Sequence, residues 1–243
     1  MGISLTVLDC ESFETSIESL CVLYGANSAE VHRFLSAVGD DNLLASFEHE
    51  FGKATKSLDT VCWFHLSRAP AGTDFSEGIL PLHLALDKIW RAIISIPNDP
   101  KARANLERLR IDGVPDYLYD LKTNNRLHSG PYAMLVRDSA FNAESMWNHD
   151  YLEFPEIIED ICNGYENRFG ERIHEEICND LRKCIVKFEI EEADGDDSIV
   201  IEPAIRYCWY MAHDKGLRLD ANICYDARGV TVPCSAIRKV EFL

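Results

Sequence analysis

The sequence predicts an α+β fold in which helices flank a mixed or antiparallel sheet and an N-terminal helical cap precedes it. Apolar residues recur at helical spacing in many segments, while other segments alternate or are continuously apolar, as strands are. Helices and strands do not follow a regular βαβ order, which argues against a parallel sheet. Because no repeat or linker interrupts the 243 residues, we expect one domain, with residues 1–59 as the cap and 60–243 as the α+β core.

The first sixty residues are predicted to be helical. Ser28 is a suitable N-cap for a helix in which Val31 and Leu35 recur on one face. A second short helix is expected over residues 43–51, because Gly52 follows its last apolar residue and can end it.

The middle of the chain begins with a buried strand at 61–67. Amphipathic spacing predicts helices over 79–95, closed by Pro97, and over 101–110. We expect a polar loop over 116–130 and a second strand over 132–138.

The C-terminal part contains three further helices and a set of short strands. Residues 184–190 alternate between apolar and charged side chains, which is typical of a half-buried strand. One helix is predicted to begin at Pro155, and two others to cover residues 171–182 and 203–214. A turn is expected at 191–197, and strands at 221–225, 230–232 and 237–243. The acidic turn lacks the spacing of a calcium loop.

Composition restricts the classes of partner. The net charge is −17, with 41 acidic and 24 basic residues, so the surface is expected to repel duplex nucleic acid and to suit a basic protein. No apolar run approaches the ~20 residues of a membrane span. The nine cysteines form no C-x-x-C pair, and the N-terminus lacks the basic region of a signal peptide, so we expect a cytoplasmic protein with reduced thiols.

The stretch from Cys62 to Pro81 is the most informative part of the chain. An apolar strand ends in the polar residues His65, Ser67 and Arg68, and a Gly-containing loop then leads to a helix. Polar donors at a strand end that faces the start of a helix can hold an anionic or nucleotide ligand. The sequence therefore places the candidate site here.

Over about residues 61–82 the chain resembles ADP-ribosyltransferases of the His-Tyr-Glu type. The resemblance lies in the aromatic-His-x-Ser pattern at the strand end and in the apolar residue and glycine that announce the next helix. It implies that NAD is the substrate, that His65 orients the ribose, that Ser67 also belongs to the cofactor-binding residues, and that Arg68 pairs with the pyrophosphate. It also implies that Tyr132 stacks on the nicotinamide ring. Competing candidates for the stacking tyrosine are Tyr117, Tyr119 and Tyr151.

A carboxylate near the ribose would stabilise the oxocarbenium character of the transition state. Glu156 is the first candidate for this catalytic role and Glu153 the second. In this family the glutamate lies on a strand, whereas Glu156 follows Pro155 at a helix start, where acids are also favoured by the helix dipole alone. Glu241, on a predicted strand, is the alternative.

Other chemistries have less support in the sequence. His128, His149 and Asp150 follow the His…His-Asp order of metal-dependent phosphohydrolases, but those enzymes are all helical, so no metal site is expected. Cys62 and Cys234 have no evident neighbouring base and are expected to be buried thiols.

Two functions follow as expectations. The first is NAD-dependent transfer of ADP-ribose to a macromolecular target, or NAD hydrolysis. The alternative is a non-catalytic acidic inhibitor or interaction protein that binds a basic partner, which the charge of −17 favours. A fold that keeps the pocket but has lost the chemistry is a third possibility.

Overall fold

A computed structural model describes residues 5–124, 129–191 and 196–243. The helices are α1 (Phe13–Tyr24), α2 (Ser28–Ala37), α3 (Leu43–Phe51), α4 (Leu82–Ser95), α5 (Pro100–Asp112), α6 (Tyr117–Asn124), α7 (Glu156–Phe169), α8 (His174–Asp180) and α9 (Ser198–Ala212). The strands are β1 (Val7–Leu8), β2 (Thr60–Ala69), β3 (Tyr132–Met134), β4 (Arg182–Glu191), β5 (Cys224–Asp226) and β6 (Ile237–Phe242). Among the described residues, no helix is both long and apolar enough to cross a membrane.

The strands form a sheet in the order β5-β3-β2-β4-β6, and β1 also pairs with β2. Strand β2 runs parallel to β1, with Val7 opposite Thr60, and antiparallel to β3, with Phe64 opposite Met134. The sheet is therefore mixed, and the predicted α+β class is confirmed.

The chain divides into two compact units, each assembled from three separate segments. Unit 1 comprises the described residues up to Phe64 together with Ala133–His149 and Lys187–Tyr225. Unit 2 comprises the described residues of His65–Tyr132, Asp150–Val186 and Asp226–Leu243.

Unit 1 is built around helix α9, which contacts α1, α2 and α3. Leu20, Val31, Phe47 and Ile205 represent the buried positions of these four helices. Their helical spacing was sufficient to predict α2 and α3, because a continuous apolar stripe must face a neighbouring element.

Unit 2 has a core in which α4, α5 and α7 pack together. Trp90, Leu106, Ile161 and Tyr165 are almost fully excluded from solvent there. Gly164 lets α7 pack closely, since a Cβ at this position would lie 2.2 Å from a methyl group of Val114.

Residues 117–124 form helix α6 where the sequence predicted a polar loop. The side chain of Asp116 accepts hydrogen bonds from the backbone N–H groups of Leu118 and Tyr119, as an N-cap does. The indole Nε1 of Trp90 also donates to the Tyr119 hydroxyl at 3.0 Å. This tertiary contact supports a helix whose own apolar pattern is weak.

Helix α9 begins at Ser198 rather than near 203, so Pro203 lies inside it. An interior proline removes one backbone hydrogen bond. Val200 and Ile201, in the turn that precedes Pro203, are buried. Helix α2 is likewise capped by Asn27, whose side chain accepts from the Ala29 N–H at 2.9 Å, and not by Ser28.

Two strand predictions needed correction, and one strand was missed. Strand β3 stops at Met134 and is followed by a 3-10 helix at Arg137–Phe141, whereas a strand over 132–138 was predicted. The predicted strand at 230–232 is an isolated bridge from Val232 to Ile79, and helix α4 therefore begins at Leu82 and not at 79. Strand β1 within the first sixty residues was missed because it is only two residues long.

Candidate functional site

A cavity of about 320 Å³ lies at the end of β2 in unit 2, and we call it the β2 cavity. Successive strand residues point to opposite faces, so alternate residues of β2, including His65 and Ser67, line it together. The loop at 70–80 and the side of α4 that carries Lys88 complete the lining. The stretch singled out in the sequence thus surrounds one cavity.

Gly78 determines the course of the loop. Its φ of 84° lies in the left-handed region, and a Cβ there would lie 2.1 Å from the carbonyl oxygen of Val232. The adjacent Ile79 and Val232 exchange backbone hydrogen bonds of 2.9 and 3.0 Å. This pairing holds the far wall of the β2 cavity in place.

His65 is oriented by a hydrogen bond between its Nδ1 and the carbonyl oxygen of Tyr132, at 2.7 Å. A carbonyl oxygen only accepts, so Nδ1 carries the proton and Nε2 keeps a lone pair in the neutral ring. Burial lowers the pKa of His65 below its ordinary value of 6.5, and the bond to Tyr132 opposes this only in part. The neutral, oriented imidazole is therefore the favoured form.

Ser67 and Phe75 add a hydroxyl and a ring to the lining. Among the described residues, the Ser67 hydroxyl has one long contact of 3.5 Å, to the Arg68 carbonyl oxygen, so much of its hydrogen-bonding capacity is unused there. Phe75 has a φ of 52°, which is uncommon for a residue with a side chain. Such conformations concentrate at functional sites because they need support from surrounding structure.

The charged groups of the lining are Asp74, Glu77, Lys88 and Arg68. Glu77 and Lys88 form an ion pair in which both side chains are about half exposed or more. The backbone N–H of Ser76 donates to Asp74 at 2.9 Å, and this bond lowers the pKa of the Asp74 carboxyl.

Arg68 differs from its predicted role. Its side chain is 5% exposed, and the guanidinium donates to the carbonyl oxygens of Leu152, at 2.8 Å, and Leu181, at 2.9 Å, and also to that of Cys178. These bonds engage the planar group with the backbone, so we assign Arg68 a structural role rather than a bond to pyrophosphate.

Tyr132, predicted to stack on the nicotinamide ring, contacts His65 through its backbone carbonyl. Among the described residues, its ring is not part of the cavity lining, and neither are those of Tyr117, Tyr119 and Tyr151. The aromatic ring in the lining is that of Phe75.

Neither predicted catalytic glutamate lines the β2 cavity. Glu153 pairs with Lys183 and lies 3.7 Å from a guanidinium nitrogen of Arg68, and the hydrogen bond from Lys183 lowers its pKa. Glu241, the alternative, is also not part of the described lining.

Glu156 belongs to a separate cluster at the start of α7. Its carboxylate lies 3.5 Å from Nζ of Lys122, which donates to Asp160 at 2.7 Å. Asp160 is 98% buried, and this burial raises its pKa, with Lys122 opposing the effect. This arrangement is that of a structural ion pair.

Metal-ligating side chains and thiols are the remaining candidate groups. Within the described ranges, no three His, Cys, Asp or Glu residues lie close enough together to hold a metal ion; His128 lies outside those ranges. Cys62 is buried, which raises the pKa of its thiol to about 12. Cys234, predicted to be buried, is exposed.

Comparisons with protein-family models, curated proteins and solved structures gave no match for this chain. The function is therefore inferred from the geometry of the β2 cavity. Reasoning from the sequence located the cavity but missed Phe75 and Glu77 as lining residues. Their position beside Gly78, in a loop between a strand end and a helix, was the signal that could have identified them.

Proposed function

We propose that the β2 cavity binds the nicotinamide riboside part of NAD, and that the protein transfers ADP-ribose from NAD to a macromolecule or hydrolyses NAD. The observation that carries the proposal is the orientation of His65 by the Tyr132 carbonyl beside the hydroxyl of Ser67. A volume of about 320 Å³ is within the range of small-molecule sites and suits part of a dinucleotide.

The lining offers a partner for each portion of the ligand. Nε2 of a neutral His65 can accept a hydrogen bond from a ribose hydroxyl, and Ser67 can both donate and accept. Phe75 offers an aromatic face for the nicotinamide ring. These contacts replace the predicted contribution of the Tyr132 ring.

Cleavage of the nicotinamide–ribose bond needs a carboxylate that stabilises positive charge at the ribose. We assign this role to Glu77, because it lines the β2 cavity and Glu153 and Glu156 do not. Lys88 is its ion-pair partner and holds the carboxylate at the wall of the cavity.

Calorimetric titration of NAD into the wild-type protein and two histidine variants tests binding. We expect His65→Gln to weaken binding at least about tenfold, while His83→Gln, an exposed histidine on α4 outside the cavity lining, binds as the wild type does. Glu77→Gln should still bind NAD but lose release of nicotinamide. Equal NAD binding by the wild type and His65→Gln would overturn the proposal.

The acidic interaction protein is the second candidate, and the distribution of charge in unit 1 favours it. Residues 1–50 contain nine acids and one arginine, Arg33, and Glu14, Glu18 and Glu30 are exposed on α1 and α2. A salt-sensitive association with a lysine-rich peptide, unaffected by NAD and weakened in Glu14→Gln/Glu18→Gln, would support this function. Absence of such binding at low salt would exclude it.

A further inference from the structure

A second cavity, of about 480 Å³, lies between helices α4 and α5 of unit 2, and we call it the arginine groove. Three arginines line it: Arg91 from α4, and Arg103 and Arg110 from α5. Glu107 is its acidic lining residue, and Ile94 and Ile111 add apolar surface. Such a concentration of positive charge is unusual in a chain whose net charge is −17.

Helical spacing explains why these side chains converge. Arg91 and Ile94 are three residues apart on α4 and therefore share one face. Arg103, Glu107 and Arg110 are separated by four and three residues, which places them on one face of α5. The two helices pack against each other, so the two faces border the same groove.

The arginines keep unused donors. Arg110 pairs with Asp87 at 2.8 Å, but Nε of Arg91 bonds only a backbone carbonyl of its own helix, at 3.2 Å, and Nε of Arg103 bonds the Pro97 carbonyl. Within the described part of the chain, neither Arg91 nor Arg103 forms an ion pair. Their terminal nitrogens are thus available to an anion from solution.

We propose that the arginine groove binds the pyrophosphate group of a nucleoside di- or triphosphate. Arginine suits this ligand because its planar fork can bond two oxygens of one phosphate. Ile94 and Ile111, of which Ile111 is 82% exposed, offer apolar contact to the base. The groove does not share its lining residues with the β2 cavity, so this site stands without the proposed NAD chemistry.

Calorimetric titration of the full chain with inorganic pyrophosphate and with ADP, at one fixed ionic strength, tests the proposal. We expect Arg91→Gln/Arg103→Gln to weaken both ligands at least about tenfold. The matched control is Arg33→Gln/Arg108→Gln, which removes the same charge from exposed residues outside the groove. This control and His65→Gln should bind pyrophosphate as the wild type does.

Equal weakening in the groove variant and the control would overturn the proposal, because it would show that net charge alone attracts the anion. Failure of the wild type to bind pyrophosphate would also overturn it. ADP should bind more tightly than pyrophosphate, and Ile111→Ser should weaken ADP only; equal affinity for the two ligands would overturn the nucleotide assignment. Circular dichroism of each variant checks that the fold is retained, as expected for exposed side chains.

Discussion

Nδ1 of His65 donates a hydrogen bond of 2.7 Å to the carbonyl oxygen of Tyr132, a residue 67 positions further along the chain. The bond decides which ring nitrogen carries the proton and leaves Nε2 as an acceptor beside the β2 cavity. A side chain that is both oriented and neutral is suited to bind a sugar hydroxyl. The same bond connects the middle of β2 with the start of β3.

The depressed pKa of His65 predicts a pH-dependent stability. Below pH 6.5, the ordinary pKa of histidine, His65 takes up a proton in the unfolded chain but not in the folded chain. The stability that the neutral ring contributes is therefore present above pH 6.5 and is lost as the pH falls through the lower pKa of the folded state. The free energy of unfolding of the wild type relative to His65→Gln should therefore decrease between about pH 8 and about pH 5. Urea unfolding of both proteins measures this difference, and a constant value would contradict the assignment of a partly buried, neutral imidazole.

Gly78→Ala should destabilise the protein by about 3 kcal/mol. The new Cβ would lie 2.1 Å from the Val232 carbonyl oxygen, at a φ of 84° that alanine seldom adopts. Gly39→Ala is the control, because a Cβ there meets no atom within 4 Å, and its effect should be below about 0.5 kcal/mol. Similar unfolding midpoints in urea for the two variants would rule out the close approach at Gly78.

Arg68→Lys should cost about 3 kcal/mol of stability although the charge is kept. One ammonium group cannot replace a planar fork that reaches the carbonyl oxygens of Leu152, Cys178 and Leu181. Thermal and urea unfolding provide the measurement, with the exposed Arg33→Lys as a control expected to change little. If the lysine variant were as stable as the wild type, the buried bonds would not have the structural role given to them here.

Lys122→Met should destabilise the protein by about 3 kcal/mol, because it leaves the carboxyl of Asp160 buried without its partner. Lys122 and Asp160 are 16% and 2% exposed, whereas Lys101 and its partner Glu171 are 68% and 45% exposed. Lys101→Met is therefore the control, with an expected cost below about 1 kcal/mol. Adding Asp160→Asn to Lys122→Met should recover part of the lost stability, because the buried group is then neutral. Urea unfolding of the wild type, the two single lysine variants and the double variant measures these differences.

Much of the secondary structure could be predicted from local spacing. Helices α2 and α3 and strand β4 occur close to the expected residues, because a helix or strand that buries one face needs apolar residues at a fixed period. The α6 segment could not be predicted in this way, since its helix depends on a bond from Trp90, 29 residues away.

The candidate site shows the same division. The order of residues along the chain was enough to single out His65 and Ser67 as neighbours of one candidate site, because alternate residues of a strand face the same side. Only the tertiary structure decided that Arg68 bonds carbonyl groups 84 to 113 residues away and that Tyr132 contributes its backbone instead of its ring. The spacing of apolar residues determines which side of a helix or strand is buried. The hydrogen-bond partner of a polar group depends on which distant segments pack beside it, and local spacing does not determine that.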